Sequence, residues 1–129
     1  MTHTRRSLLI LLASALTSPS AFAASVHTPP KGSAERQAIM DAMRVNGDDR
    51  DRIFVVRFLK VSRGWAWLQV DPQSRDGSNH YESESALLRQ SGRHWKVVAQ
   101  PCAEADCVEE DELARIRDDF PQAPDAIFP

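Results

Sequence analysis

The chain has 129 residues, a formal net charge of −2 and 42% apolar side chains. That length holds one domain and is too short for two. The acidic balance argues against nucleic acid or an anionic membrane surface as a partner, because both select a basic patch.

The first 23 residues read as a cleavable export signal. Arg5 and Arg6 give a cationic start, and Leu8 to Leu16 an apolar core. Ala21-Phe22-Ala23 then supplies the small-x-small pattern that signal peptidase reads, which places the cut before Ala24. An apolar run of nine residues makes roughly 14 Å of helix, whereas a bilayer core takes ~20 residues, so no membrane anchor is expected. Thr4-Arg5-Arg6-Ser7-Leu8-Leu9 resembles a twin-arginine signal, while the short start and Leu-rich core suit the general secretory route; both stay open. The first cysteine is Cys102, so no lipid-bearing cysteine follows the cut. The expected address is therefore periplasmic or secreted. Removing residues 1–23 takes away two arginines and no acid, which leaves 14 cations against 18 acids, a mature charge of −4.

Residues 24–32, with Pro29-Pro30 and Gly32, read as a flexible leader to a single domain over 33–129. Ser33 is a plausible N-cap, with Glu35 in the first turn to suit the helix dipole. Ala38, Ile39, Ala42 and Met43 recur at helical spacing, and Asn46-Gly47 stops the helix, which is expected over 33–45. Arg52 to Val61 is rich in β-branched and aromatic residues and predicts a strand. Strict alternation puts Ile53, Val55, Leu59 and Val61 on one face and Phe54, Val56 and Phe58 on the other, and a strand apolar on both faces is expected to be central in its sheet or covered on both sides. Arg57 interrupts the first set; it either lies across the sheet with its head in water or pairs with a charge in a pocket.

Trp65 to Asp71 is the second expected strand. Of Trp65 and Trp67, one should anchor the core and the other cover an edge or line a groove. Residues 72–79 form the longest polar connection, with a turn at Asp76-Gly77. A calcium loop is rejected, because Asp71, Gln73 and Arg75 lie out of register with Gly77. His80 to Arg89 is the third expected strand and His94 to Gln100 the fourth, with Trp95, Val97 and Ala99 facing one way. Glu109 to Phe120 is a second helix whose acids suit its first turn. Ile127-Phe128 can tuck back on the body. The order α-β-β-β-β-α predicts an α+β fold: an N-terminal helix on a four-stranded antiparallel curled sheet, with a short C-terminal helix. One sheet face should be buried, under both the first helix and the C-terminal segment.

Cys102 and Cys107 are the only cysteines, and in an exported chain they predict a structural disulfide. The spacing is not Cys-x-x-Cys, so a thioredoxin-type centre is not expected. Zinc takes four ligands and only Glu104 and Asp106 lie near, so no metal is expected.

Gly32-Ser33-x-x-Arg36 with Ile39 and Ala42-Met43-Arg44, Phe54-Val55-Val56 to Leu59-Lys60-Val61, Trp65-Ala66, Leu87-Leu88-Arg89, Trp95-x-Val97-Val98 and the terminal Ala126-Ile127-Phe128-Pro129 together resemble a loose group of uncharacterised exported bacterial proteins. The resemblance implies a helix plus curled sheet, similar in element order to the cystatin-like and NTF2-like folds. The Cys102/Cys107 loop departs from that group's pattern. Its motifs are core and turn residues, so it implies no catalytic residues.

No Gly-rich phosphate loop, His-Glu-x-x-His or Gly-x-Ser-x-Gly occurs, and no cofactor is expected. His27 falls in the leader and His94 at a strand start. His80, Glu82 and Glu84 would share one strand face, either as a polar outer face or as an acid–base or metal site. Two functional readings follow. In the first, a small non-enzymatic binding module of the cell envelope, of the inhibitor type, presents Arg75, Asp76, His80 and Tyr81 to a protein partner, since Arg and Tyr are common contact anchors. In the second, Tyr81, His80 or Arg57 surrounds Trp67 in a small-ligand or NTF2-like enzymatic pocket of the curled sheet.

Overall fold

The structure, a computed structural model, describes residues 25–44 and 51–129. The expected export signal and the Asn46-Gly47 helix stop lie outside the described residues. Helix α1 spans Ala34–Arg44. Strands β1 (Arg52–Ser62), β2 (Trp65–Ser74), β3 (Glu84–Ser91) and β4 (His94–Ala99) follow, then helix α2 (Glu109–Asp119) and a 3-10 turn at Asp125–Ile127. The four strands form one antiparallel meander in chain order. The α+β fold expected from the sequence is the fold observed.

Ser33 caps α1 as its residue type predicts: its Oγ accepts the Arg36 N–H at 3.3 Å and its carbonyl accepts the Gln37 N–H at 3.0 Å. The segment expected to be a flexible leader is tied to β1. His27 and Val61 exchange both backbone hydrogen bonds, at 2.9 and 2.8 Å. The Thr28 hydroxyl donates to the Leu59 carbonyl at 2.7 Å, Arg36 donates to the Pro29 carbonyl, and Pro29 is fully buried. The rings of Pro29 and Pro30 fix φ at two positions of this stretch.

Both faces of the sheet are buried, which corrects the expectation of one. On the first face, Ile39, Met40, Ala42 and Met43 of α1 pack against Phe54, Leu59, Val61, Ala66, Leu68, Val70, Ala86, Leu88 and Trp95. On the second, Ile116 of α2 with Ala123, Ile127 and Phe128 packs against Trp65, Trp67 and Leu87. Trp65 and Trp67 are therefore both core. These two cores lie wholly within residues 39–128.

Two bulges explain how alternating strands serve those faces. Val56 pairs with Val70 and Phe58 with Gln69, so Arg57 is an extra residue in β1. The insertion flips the parity. Phe54 and Val56 thereby join Leu59 and Val61 under α1, while Phe58 packs on the Trp65–Trp67 side. Ile53 and Val55, expected with Leu59 and Val61, are 41% and 38% exposed. In β4, Leu88 pairs with Val97 and Leu87 with Ala99, so Val98 is extra. Trp95 and Val97 face α1, whereas Ala99 turns to the opposite core. The expectation that all three share a face fails for the same reason.

Cys102 and Cys107 form the expected disulfide, with a Cα–Cα distance of 5.9 Å. Among the described residues, no helix is long and apolar enough to cross a membrane.

Candidate functional site

β2 and β3 are joined by a long turn at one end of the meander, and the turn holds the residues singled out in the sequence. Its base is closed by backbone pairing. Gln73 bridges His80, the Tyr81 N–H donates to the Pro72 carbonyl at 3.0 Å, and the Ser74 N–H to the Asn79 carbonyl at 2.9 Å. Asp76 is spent on the turn itself. Its Oδ1 accepts the Ser74 hydroxyl at 2.6 Å, the Ser78 hydroxyl at 2.7 Å and the Ser78 N–H at 3.1 Å. These donors, the Ser74 hydroxyl foremost, hold its carboxyl down at about 2. Asp76 thus shapes the loop, as an Asx-type turn does.

Arg75, Asp76, His80 and Tyr81 are all exposed at the turn. Arg75 Nη2 lies 3.7 Å from Asp51 Oδ1, and both side chains are largely in water. Tyr81 is 41% exposed, and the Arg52 guanidinium sits over its ring at 4.1 Å. Arg52 Nη1 also lies 4.0 Å from Glu84 Oε1. The contribution of Arg52 and Glu84 was not visible in the sequence. Both come from strand ends brought beside the turn by the pairing of β1 and β3 with β2.

His80 and Glu82 are not in β3, which begins at Glu84. The shared strand face proposed for His80, Glu82 and Glu84 therefore does not form. Among the described residues, no group of His, Cys, Asp and Glu is arranged to hold a metal ion.

The pocket envisaged around Trp67 is filled. Trp67 is 2% exposed, and the Phe128 ring lies 5.2 Å from its ring. Trp67 Nε1 and Arg117 Nε are buried without a hydrogen-bond partner among the described residues. Arg57 points elsewhere. Its Nε donates to Asp71 Oδ2 at the sheet surface, and Asp71 Oδ1 accepts the Ser83 hydroxyl at 2.7 Å. The Ser83 hydroxyl first and Arg57 second lower the Asp71 pKa.

Arg57 and Asp71 lie on the part of the second face that the C-terminal segment leaves uncovered. There a groove of about 540 Å³ runs between the sheet and the disulfide loop, with Gln69, Ser83 and Ser85 on one side and Cys102, Glu104 and Glu109 on the other. The rim is fixed to α2, since the Cys102 N–H donates to Glu112 Oε2 at 2.9 Å. Arg115, and after it this N–H, lower the Glu112 pKa.

No protein-family model, curated protein or solved structure matches this chain. The site is accordingly read from its own geometry.

Proposed function

We propose that the chain is a small, non-enzymatic binding module of the cell envelope. On this reading it is exported after loss of residues 1–23 and grips a protein partner with the β2–β3 turn. Arg75, Tyr81 and the neighbouring Arg52 are the contact residues. The observation that supports this is the place of Trp67. The concavity that a small ligand would enter is occupied by Trp67 and Phe128 of the chain itself, while the Tyr81 ring, with Arg52 lying over it, and the Arg75 guanidinium are exposed at the turn. Tyr and Arg are the side chains that carry most binding energy at such surfaces, because they offer large contact area with polar tips. The disulfide suits an oxidising compartment.

The test is affinity capture from envelope extract with the chain beginning at Ala24, beside an Arg75→Ala, Tyr81→Ala double variant. A partner retained by the natural sequence and lost by the variant is the expected outcome. Identical partner lists would discard the turn as the contact site. Mass spectrometry of the native protein tests the address, with Ala24 expected as the first residue.

A second reading rests on the groove beside the disulfide. Its volume of about 540 Å³ falls within the ~300–1,000 Å³ of small-molecule sites. Its lining is mainly polar and Arg57 is already held by Asp71, which favours the first reading.

A further inference from the structure

We infer that the end of the sheet opposite the β2–β3 turn docks on anionic phospholipid headgroups. The meander places the β1–β2 turn at Arg63-Gly64 and the β3–β4 turn at Gly92-Arg93 side by side. The Gln90 N–H donates to the Gly64 carbonyl at 2.8 Å. Around these two tips stand Lys60, Arg63, Arg89, Arg93 and Lys96. The last four are exposed. Among the described residues, none of the five is in an ion pair.

Two features set some of these cations against the stability of the fold. Arg89 and Lys96 are direct cross-strand partners, and like charges in that position repel. Arg63 has φ 52°, a left-handed conformation that an arginine adopts only under strain and that Gly or Asn adopts with little. Folding alone would favour another residue at Arg63, whereas Arg89 and Lys60 also lie over the Trp65 and Phe58 rings, at 5.0 and 5.7 Å.

The overall acidic charge hides this end because many of the acids lie at the other, among Arg52, Arg57 and Arg75. Asp71, Asp76, Glu84, Glu104 and Glu109 gather toward the other end. From Trp65 to Asp71 the strand covers roughly 20 Å, about two Debye lengths at physiological salt. Of the acids nearer the tips, Glu35 is engaged by His27 at 2.8 Å and Asp119 by Arg115 at 3.1 Å; Asp118 stands beside Asp119 at the end of α2. A headgroup layer meeting the tips is therefore screened from most of the acids. The net charge of the whole chain averages over two ends that no partner meets together.

Lipid is favoured over nucleic acid because the aromatic rings here, Trp65 and Trp95, are buried and offer bases nothing to stack on. It is favoured over an acidic protein by the course of the chain. Ser25 lies two residues before the His27–Val61 pair, next to the β1–β2 turn. Only residues 17–24 separate this end from the apolar run Leu8 to Leu16, at most ~30 Å of extended chain. On the export reading, on which this point rests, the cationic end leaves the membrane beside that run.

Vesicle co-sedimentation tests the inference with the chain beginning at Ala24. Vesicles of equal parts phosphatidylglycerol and phosphatidylcholine should bind it at low ionic strength, and phosphatidylcholine alone should not. About 0.5 M salt should release it. Each cation near an anionic surface strengthens binding about fivefold, so Arg63→Gln, Arg93→Gln and Lys96→Gln together should weaken it ~100-fold. Arg63→Asn alone should weaken it about fivefold without lowering the unfolding midpoint, which separates binding from folding. Arg75→Gln, at the far end, should leave it unchanged. Equal binding to both vesicle types, no binding at low salt, or a triple variant that still binds would overturn the proposal. So would retention on an acidic polymer or acidic protein without vesicle binding. Finding Met1 on the native protein would sink the export reading and leave the vesicle result standing.

Discussion

The ring of Phe128 lies 5.2 Å from that of Trp67, tilted by 50°, so the penultimate residue of the chain seals a tryptophan from the second strand. Arg117 covers the same phenyl ring at 4.9 Å. Phe128→Ala should therefore behave as a core truncation and cost about 3–5 kcal/mol. Urea unfolding followed by tryptophan emission checks this, and the folded variant should emit at longer wavelength as water reaches Trp67.

Trp67 itself should tolerate a change that Phe128 does not. Its indole Nε1 is buried without a partner among the described residues, and an unmet donor carries a desolvation cost of ~1–3 kcal/mol. Trp67→Phe removes that donor while leaving a smaller ring, so the two effects offset. The expected net loss is below ~1.5 kcal/mol, measured by the same unfolding curves.

At Arg57 the count of residues matters more than the side chain. Deleting Arg57 removes the bulge and turns either Phe54 and Val56 or Leu59 and Val61 away from α1. The loss expected is about 3 kcal/mol or more. Arg57→Ala keeps the bulge and gives up only a solvent-exposed contact to Asp71. Its thermal midpoint should lie close to that of the parent. A deletion as stable as the alanine variant would contradict the parity argument.

That bulge also marks what was readable from the residues alone. The two helices, four strands and their order followed from apolar spacing and turn residues, because those signals act locally. The side on which each strand residue falls did not follow. The extra residues Arg57 and Val98 shift the register, and nothing in Val56-Arg57-Phe58 distinguishes a bulge from plain alternation. The third strand begins at Glu84, later than His80. Of His80 to Ser83 only Tyr81 favours a strand, and the backbone there is drawn into the closure of the turn by Gln73 and Pro72. At the candidate site, Arg75 and Tyr81 were legible as exposed polar anchors. Arg52 was not, since its place over Tyr81 depends on tertiary pairing.

His27 predicts a modest pH dependence. Its Nε2 pairs with Glu35 at 2.8 Å, and the hydrogen bond to that carboxylate raises its pKa above 6.5. A raised histidine pKa stabilises the fold below the unfolded value and loses that contribution as pH climbs through the folded one. Stability should thus fall slightly from pH 6 to pH 8. Because both groups are partly in water, the change is a few tenths of a kcal/mol at most. His27→Ala should flatten it, as read by denaturant midpoints across that range.

The disulfide should matter locally. Cys102 and Cys107 are five positions apart, and closing so small a loop is worth about 2 kcal/mol. Reduction should lower the thermal unfolding midpoint by roughly 10 °C while far-ultraviolet dichroism stays unchanged. Amide exchange should quicken at residues 102–107, beside the groove, and not in the strands.

The short pairing of His27 and Thr28 with β1 has a bearing on solubility. An outermost strand with free backbone groups invites the same strand of a second molecule, which is how sheets grow into fibres. Here the chain's own N-terminal residues occupy that position along Leu59 to Val61, and the kink at Arg57 spoils the remainder for straight pairing. A version trimmed to begin at Ser33 would keep both cores yet expose this stretch, and should self-associate at concentrations where the longer chain stays monomeric.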